Sequence, residues 1–520
     1  MTVTSIFNDI IGPVMRGPSS SHSAAGCRIG LLLRDLMESN ISFVQVDYDT
    51  NGALATSHES QGTDMGLYGG LLGWMADDER LPSYRQALSE ENIKIEVNYA
   101  EYNASHPNTY RITAANNTLR HSITAISTGG GMVEIEQIDG TPVSICGDYH
   151  ELLIFTDDPE QVRSQFPGSF TYDYFNICIG ENTFIELKSS KPYDTQSIKV
   201  FRDTLGVKHI SYLRPVLPVL SRKNLTVPFL TCEEMLEIGT KKGMSLWQLA
   251  LMYECQRSEL NEDQVFHMMI DLIRIMKKSV ETGLAGTRYE DRILHCQSVN
   301  FKEKMDRQEL LGGNLLNTII LYVCAIMEVK SSFGVIVAAP TAGSCGALPG
   351  TILGAGQVLG KSDEDMAKAM LAASAMGIFI SEHASFAGEV GGCQAECGSG
   401  SSMAAAGLVT LAGGDLRQSV AAASLALQNV LGLVCDPIGN RVEAPCLGRN
   451  VLAATNAVSC ANMGIANFDP IVTYDEVVSA MYDVGSCIKH ELRCTAKGGL
   501  SITKTSKGLE KKFSNRSLYE

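Results

Sequence analysis

Gly388-Glu389-Val390-Gly391-Gly392-Cys393-Gln394-Ala395-Glu396-Cys397-Gly398-Ser399-Gly400-Ser401 sets two carboxylates, a glutamine and two cysteines among glycines, directly ahead of an Ala-rich run. Such a density of polar groups is costly in a core unless it serves a site. Around it, from Ser331 to Asn450, Ala-rich stretches at helical spacing alternate with Gly- and Ser-rich turns. Uncharged apolar stretches nearby, such as Leu315 to Met327 and Ala421 to Val434, read as helices buried on all sides. A mostly α-helical C-terminal domain is expected, with its chemistry in the turns.

Three cysteines lie in such turns: Cys393, Cys435 of Cys435-Asp436-Pro437, and Cys446 of Pro445-Cys446-Leu447-Gly448. Glycine and proline impose an irregular backbone that can aim several thiolates at one point. Three thiolates are one short of the four that close an iron–sulfur cluster. An iron left free of cysteine is a Lewis acid, suited to elimination or hydration. Against this stands the ordinary habit of free cysteine, which is to pack in a core. No C-x-x-C pair is present, and the separations of 42 and 11 residues match no short metal motif.

The whole chain has 520 residues, enough for two to four domains. Its net charge of −16 argues against nucleic acid as a partner, which would need a basic face. No run reaches the roughly 18 uninterrupted apolar residues of a membrane span. Met1-Thr2-Val3-Thr4-Ser5-Ile6 carries no charged segment leading into an apolar one, so a cytoplasmic protein with reduced thiols is expected.

Residues 1–147 read as an α+β domain. Ile41 to Tyr48 and Lys94 to Ala100 alternate as strands, Tyr110 to Ala115 and Leu119 to Ala125 form a hairpin, and Ala24 to Leu36 has helical spacing. Residues 148–218 give the order βαββαβ of a ferredoxin-like split unit, which resembles the ACT regulatory domain. Residues 231–500 are helical, with Thr231 as the first N-cap. Residues 501–520 carry several lysines and read as a basic flexible tail.

Two further runs suit an anion. Ser19, Ser20, Ser21 and His22 enter a helix with hydroxyls and free N–H groups at its positive end. Thr341, Ala342 and Gly343 lie in Ala339-Pro340-Thr341-Ala342-Gly343-Ser344-Cys345-Gly346, between a strand-like run and a helix. In order along the chain, the serine–histidine run, Pro340 to Gly346, Gly391 to Glu396, and Cys435-Asp436-Pro437 through Pro445-Cys446 resemble the motifs of the iron–sulfur-dependent L-serine dehydratases. The resemblance covers nearly the whole chain, in the form with fused β and α domains. It implies Cys393, Cys435 and Cys446 as ligands of a 4Fe-4S cluster, with Cys345 or Cys397 as the alternative. It also implies a small-molecule amino-acid substrate.

His106, in Ser105-His106-Pro107, matches one β-domain histidine of that family. Where some members carry another histidine before Gly-Thr-Asp, this chain has Gln61, with His58 three residues earlier. Some members end in a cysteine that caps the free iron; here the last cysteine is Cys494. Removal of an α-proton needs a base near neutral pKa, for which His106 ranks first and His58 second. The carboxylate would sit on the open iron or on the Ser19–Ser21 and Thr341–Gly343 backbone. The expected reaction is conversion of L-serine to pyruvate and ammonia; the alternative is a lyase of the same fold acting on another β-hydroxy or β-thiol amino acid. A pyridoxal-phosphate lyase would need a Schiff-base lysine, and Ser331 to Asn450 holds only Lys361 and Lys368 in a charged setting. A non-catalytic amino-acid sensor would leave the turn cysteines without a role. The βαββαβ unit predicts a homodimer, with no nucleic-acid or membrane partner.

Overall fold

The computed structural model describes residues 3–59, 61–167, 170–202, 204–221 and 225–514. They form two units, Met1–Ser20 with Lys223–Glu520, and Ser21–Arg222. The chain is thus a mixed α/β protein with a helical unit and a unit built on two sheets.

In the helical unit, polar residues with a reciprocating partner three positions on start the helices. Thr231 accepts from the Glu234 N–H to open Cys232–Lys242, and Ser362, Asp415 and Thr473 do the same for Asp363–His383, Leu416–Gln428 and Tyr474–Cys487. Asp363–His383 and Ser399–Leu411 form the centre, buried on nearly every face. Small residues permit that closeness: a Cβ on Gly407 would lie 2.9 Å from the Ala369 carbonyl oxygen. The helix Asn314–Ser331 is long and apolar enough to cross a membrane by length and composition. Here it carries the fully buried Glu328, which accepts from the Gln297 and Ser298 N–H groups, and the fully buried Lys330, which donates to the Val442 carbonyl. Those pairings make it a core helix of this unit.

The first twenty residues belong to this unit rather than to the 1–147 domain expected. Ser5 and Ile6 donate to the buried Glu254 carboxylate, and Val14–Arg16 pairs antiparallel with Val335–Val337. The register, Val14 opposite Val337 and Arg16 opposite Val335, sends Ser19 and Thr341 off opposite ends of the ladder. The segment after Leu500 is also more ordered than a flexible tail. Ser501 donates to the Pro437 carbonyl and Ser506 accepts from the Gly439 N–H at 2.8 Å, which docks the helix Lys504–Ser514. Its lysines face outward and Phe513 inward, and residues 515–520 lie outside the described residues.

In the other unit a six-stranded sheet runs Lys94–Ala100, Phe43–Asp49, Thr109–Ala115, Arg120–Gly129, Met132–Ile138, Thr141–Ile145, with only the first pair parallel. A second, fully antiparallel sheet runs Val207–Leu213, His150–Thr156, Thr183–Ser189, Tyr174–Ile179. Alternation splits its residues. Leu152, Ile154, Ile185 and Leu187 pack with Val162 and Phe201 of its two helices, Pro159–Ser164 and Thr195–Arg202. Leu153, Phe155, Phe184 and Leu213 join the core of the six-stranded sheet. Helices Ala25–Leu36 and Thr63–Leu71 meet through reciprocal glycines. A Cβ on Gly30 would fall 2.2 Å from the Leu67 carbonyl, and one on Gly70 2.2 Å from that of Cys27.

Candidate active site

The strand Val335–Val337 leads into Ala339-Pro340, a cis peptide, and then a turn in which the Ser344 N–H meets the Thr341 hydroxyl at 3.2 Å. The helix Ala347–Leu359 follows, but its first N–H groups are already used. The fully buried Asn450 accepts from Gly346 and Ala347 at 3.1 and 2.8 Å. Its amide donates to the Gly343 and Cys446 carbonyls at 2.9 and 2.8 Å and to the Cys397 sulfur at 3.6 Å. One asparagine therefore ties the Thr341 turn to the two cysteine-bearing segments.

Cys393, Cys397 and Cys435 pack together with Ala347 and Ala453, and Leu433 and Cys494 lie against them. Cys446 begins the helix Cys446–Ile465 and is buried. The neighbouring Cys393 thiol, with burial, raises Cys397. Cys435 is raised by the neighbouring Cys494 thiol and then by burial. Burial raises Cys446, opposed by Lys330. Backbone bonds join the second pair: Cys435 N–H to the Leu492 carbonyl at 2.8 Å and Cys494 N–H to the Cys435 carbonyl at 2.7 Å. Cys345 stands apart, its thiol toward the Met327 sulfur at 3.8 Å and pushed up to about 12 by burial.

The turns are fixed by their polar neighbours. Gln394 donates to the Met481 carbonyl and accepts from Gly432 N–H, both at 2.8 Å, which holds Cys393 to the Leu433 segment. Asp436 pairs with Arg449 and accepts from Leu500 N–H at 2.7 Å. Gly499 is required there: its φ is +57°, and a Cβ would meet Asp436 at 2.2 Å. Glu396 accepts from the Thr341 hydroxyl at 2.9 Å and the Cys435 thiol at 3.7 Å. Burial, with Glu389 adding repulsion, pushes its carboxyl up to about 7. Glu396 and Asn450 went unassigned in sequence; the crowding of polar residues around Cys393 was the signal for the first. Among the described residues no three His, Cys, Asp or Glu side chains are placed to hold a metal ion.

Ser19 and Ser20 end in the helical unit, whereas Ser21, His22, His58 and His106 belong to the other. There, His58 is buried, with Nδ1 2.8 Å from Asp64 and Nε2 2.7 Å from the Tyr99 hydroxyl. The carboxylate assigns the proton to Nδ1, leaving Nε2 to accept. His106 Nδ1 accepts from Asn108 N–H at 3.1 Å, so its remaining proton is on Nε2; burial lowers its pKa. His22 Nε2 lies 3.0 Å from the Ser57 hydroxyl, which itself donates to the Ala53 carbonyl, and burial lowers His22 to about 4. The Ala53 N–H donates to the Pro107 carbonyl at 2.8 Å, so the turn Ala53 to His58 gathers all three histidine segments.

Residues 241–501 match the serine dehydratase alpha chain family. The chain is 36% identical over 285 residues to a probable L-serine dehydratase alpha chain of Bacillus subtilis, covering 55% of this chain and 95% of that protein. It is 30% identical over 500 residues to an L-serine dehydratase of Helicobacter pylori strain J99, covering 94% and 96%. To L-serine dehydratase 2 of Escherichia coli it is 26% identical over 513 residues, with the same coverage. With its motifs in family order and the match extending over both units, the chain belongs to the L-serine dehydratase family.

Proposed function

We propose that this chain is an L-serine ammonia-lyase, eliminating water from L-serine to an enamine that hydrolyses to pyruvate and ammonia. The observation that carries this is the gathering of Cys393, Cys397, Cys435, Cys446 and Cys494 about Glu396 and Thr341, in a member of that family. The donor set fits a soft metal centre in kind: buried thiols, on turns held by Gln394, Asp436 and Asn450. Cys393, Cys435 and Cys446 would hold a 4Fe-4S cluster, whose ligands stand farther apart than those of a single ion. When bound, a cluster with one iron free of cysteine supplies a Lewis acid for the departing hydroxyl.

The rest falls to side chains of this chain. The Thr341 turn is a candidate for the substrate carboxylate, although Asn450 has taken the Gly346 and Ala347 N–H groups. For the α-proton, hydrogen bonding favours His58 over His106. Asp64 orients the His58 ring with its acceptor Nε2 toward the hydroxyl of the exposed Tyr99 side chain, which can turn away, while the acceptor nitrogen of His106 is engaged by the backbone N–H of Asn108. The strand order of the second sheet supports an ACT-like unit at 148–218 and, through its open edge, a homodimer. A cytoplasmic location agrees with reduced thiols.

The test is to purify the protein without oxygen and supply L-serine. Pyruvate and ammonia in equal amounts from a brown preparation holding about four irons are expected. A colourless, metal-free and fully active preparation would rule out the cluster. Faster release of sulfide from L-cysteine would move the substrate to a β-thiol amino acid.

A further inference from the structure

Glu396 is a carboxylate with no cation in direct contact among the described residues. No ion pair among the described residues includes it; Lys330 acts on it only through its field, donating its proton to the Val442 carbonyl, and Arg449 pairs with Asp436. Its partners are the Thr341 hydroxyl and the Cys435 thiol, and loss of that thiol proton on metal binding would remove the second. The carboxylate is pressed between two backbones. A Cβ on Gly343 would lie 2.6 Å from Oε1 and one on Gly388 2.7 Å from Oε2, so neither position accepts a side chain while Glu396 stays put. The surrounding Ala342, Gly343, Ser344, Gly391 and Cys393 are buried, yet Thr341 and Glu396 keep partial exposure, so a small solute can reach both. The exposed Glu389 adds negative charge nearby. A carboxylate in such a place is costly unless a cation completes it.

We propose that Glu396 is a substrate-binding residue that pairs with the α-ammonium group of the amino acid and so selects amino acids over hydroxy acids. This rests on the lyase function and deepens it. The ammonium lies one carbon from the substrate carboxylate, and Glu396 accepts a hydrogen bond from the turn offered for that carboxylate. Neighbouring donor and acceptor can thus read the two charged groups of an α-amino acid together.

The experiment is calorimetric titration of the anaerobically purified full chain with two ligands that cannot eliminate. L-Alanine has ammonium and carboxylate but no leaving group; propionate lacks the ammonium. Glu396→Gln should weaken L-alanine about ten- to hundredfold, the worth of a charged hydrogen bond, and leave propionate unchanged. Glu396→Asp, which keeps the charge, should retain most of the L-alanine affinity. In turnover of L-serine, Glu396→Gln should raise KM by a similar factor with kcat changed less. Equal weakening of both ligands, or of neither, overturns the ammonium role, as does wild-type protein that binds L-alanine no better than propionate. Iron content and visible absorption are measured on the same samples. A colourless wild-type preparation counts against the cluster, while the two-ligand comparison still decides the role of Glu396.

Discussion

Cys435 is held by backbone bonds to Leu492 and Cys494, by the Asp436–Arg449 pair beside it, and by its thiol contacts with Cys494 and Glu396. Such fixing is what the proposed cluster would require of its ligands. Replacing Cys393, Cys435 or Cys446 with alanine should each abolish the iron–sulfur absorption. Replacing Cys27, Cys255 or Cys487, which lie outside this set, should leave it. A normal spectrum in Cys446→Ala would shift the ligand role to Cys397. The histidines separate by tautomer. His58→Asn should keep the spectrum and lower kcat by roughly two to four orders of magnitude, the usual worth of a general base. His106→Asn should cost less, because its Nδ1 lone pair serves Asn108. The reverse order would restore His106 as the base.

At the scale of elements, the contact between Ala25–Leu36 and Thr63–Leu71 has no slack. Gly30→Ala puts a methyl 2.2 Å from the Leu67 carbonyl, and overpacking against backbone costs about 1–3 kcal/mol or more. Thermal unfolding should show Gly30→Ala lowered by several degrees and Gly448→Ala, with open space around it, little changed. This contact also shows what sequence hides. Thr63–Leu71 has three glycines in nine residues, a poor composition for a helix on its own, and only the partner helix makes those glycines an asset. The strands of the βαββαβ unit, by contrast, were legible as short apolar runs between turns, because both faces bury side chains. Near Cys393 the polar density was legible but not which groups face inward, since the π-helical turn Gln394–Gly398 breaks the helical period. The turn before Ala25–Leu36 adds a pH dependence. His22 takes a proton near 6.5 when unfolded and only near 4 when folded. Between those values the unfolded chain binds more protons, so stability should rise with pH by up to about 3 kcal/mol and level off above 6.5. Urea unfolding of His22→Gln should lose that rise.

On the scale of the whole molecule, the second sheet sets how copies of the chain could communicate. Its helices cover one face and the six-stranded sheet covers the other, so deleting 148–218 would strip Leu153, Phe155, Phe184 and Leu213 from a shared core. A point change at the sheet edge is the cleaner probe. Among the described residues Tyr174–Ile179 pairs on one side only, with Thr183–Ser189, and exposes Tyr174 at 49% and Ile179 at 73%. An apolar open edge of this kind invites a second strand, and a two-fold axis would pair it with its own copy. Ligand bound at the paired units can change activity only by favouring one arrangement of the dimer. Sigmoidal dependence on L-serine is therefore expected of the intact protein. Ile179→Lys sets a charge on the edge without touching the core, so it should convert the dimer to monomer in analytical ultracentrifugation and flatten the substrate curve to a hyperbola. A dimer that survives Ile179→Lys with sigmoidal kinetics intact places the interface elsewhere, and hyperbolic kinetics in the unaltered protein, with no amino acid shifting them, leaves residues 148–218 a structural part of the sheet unit.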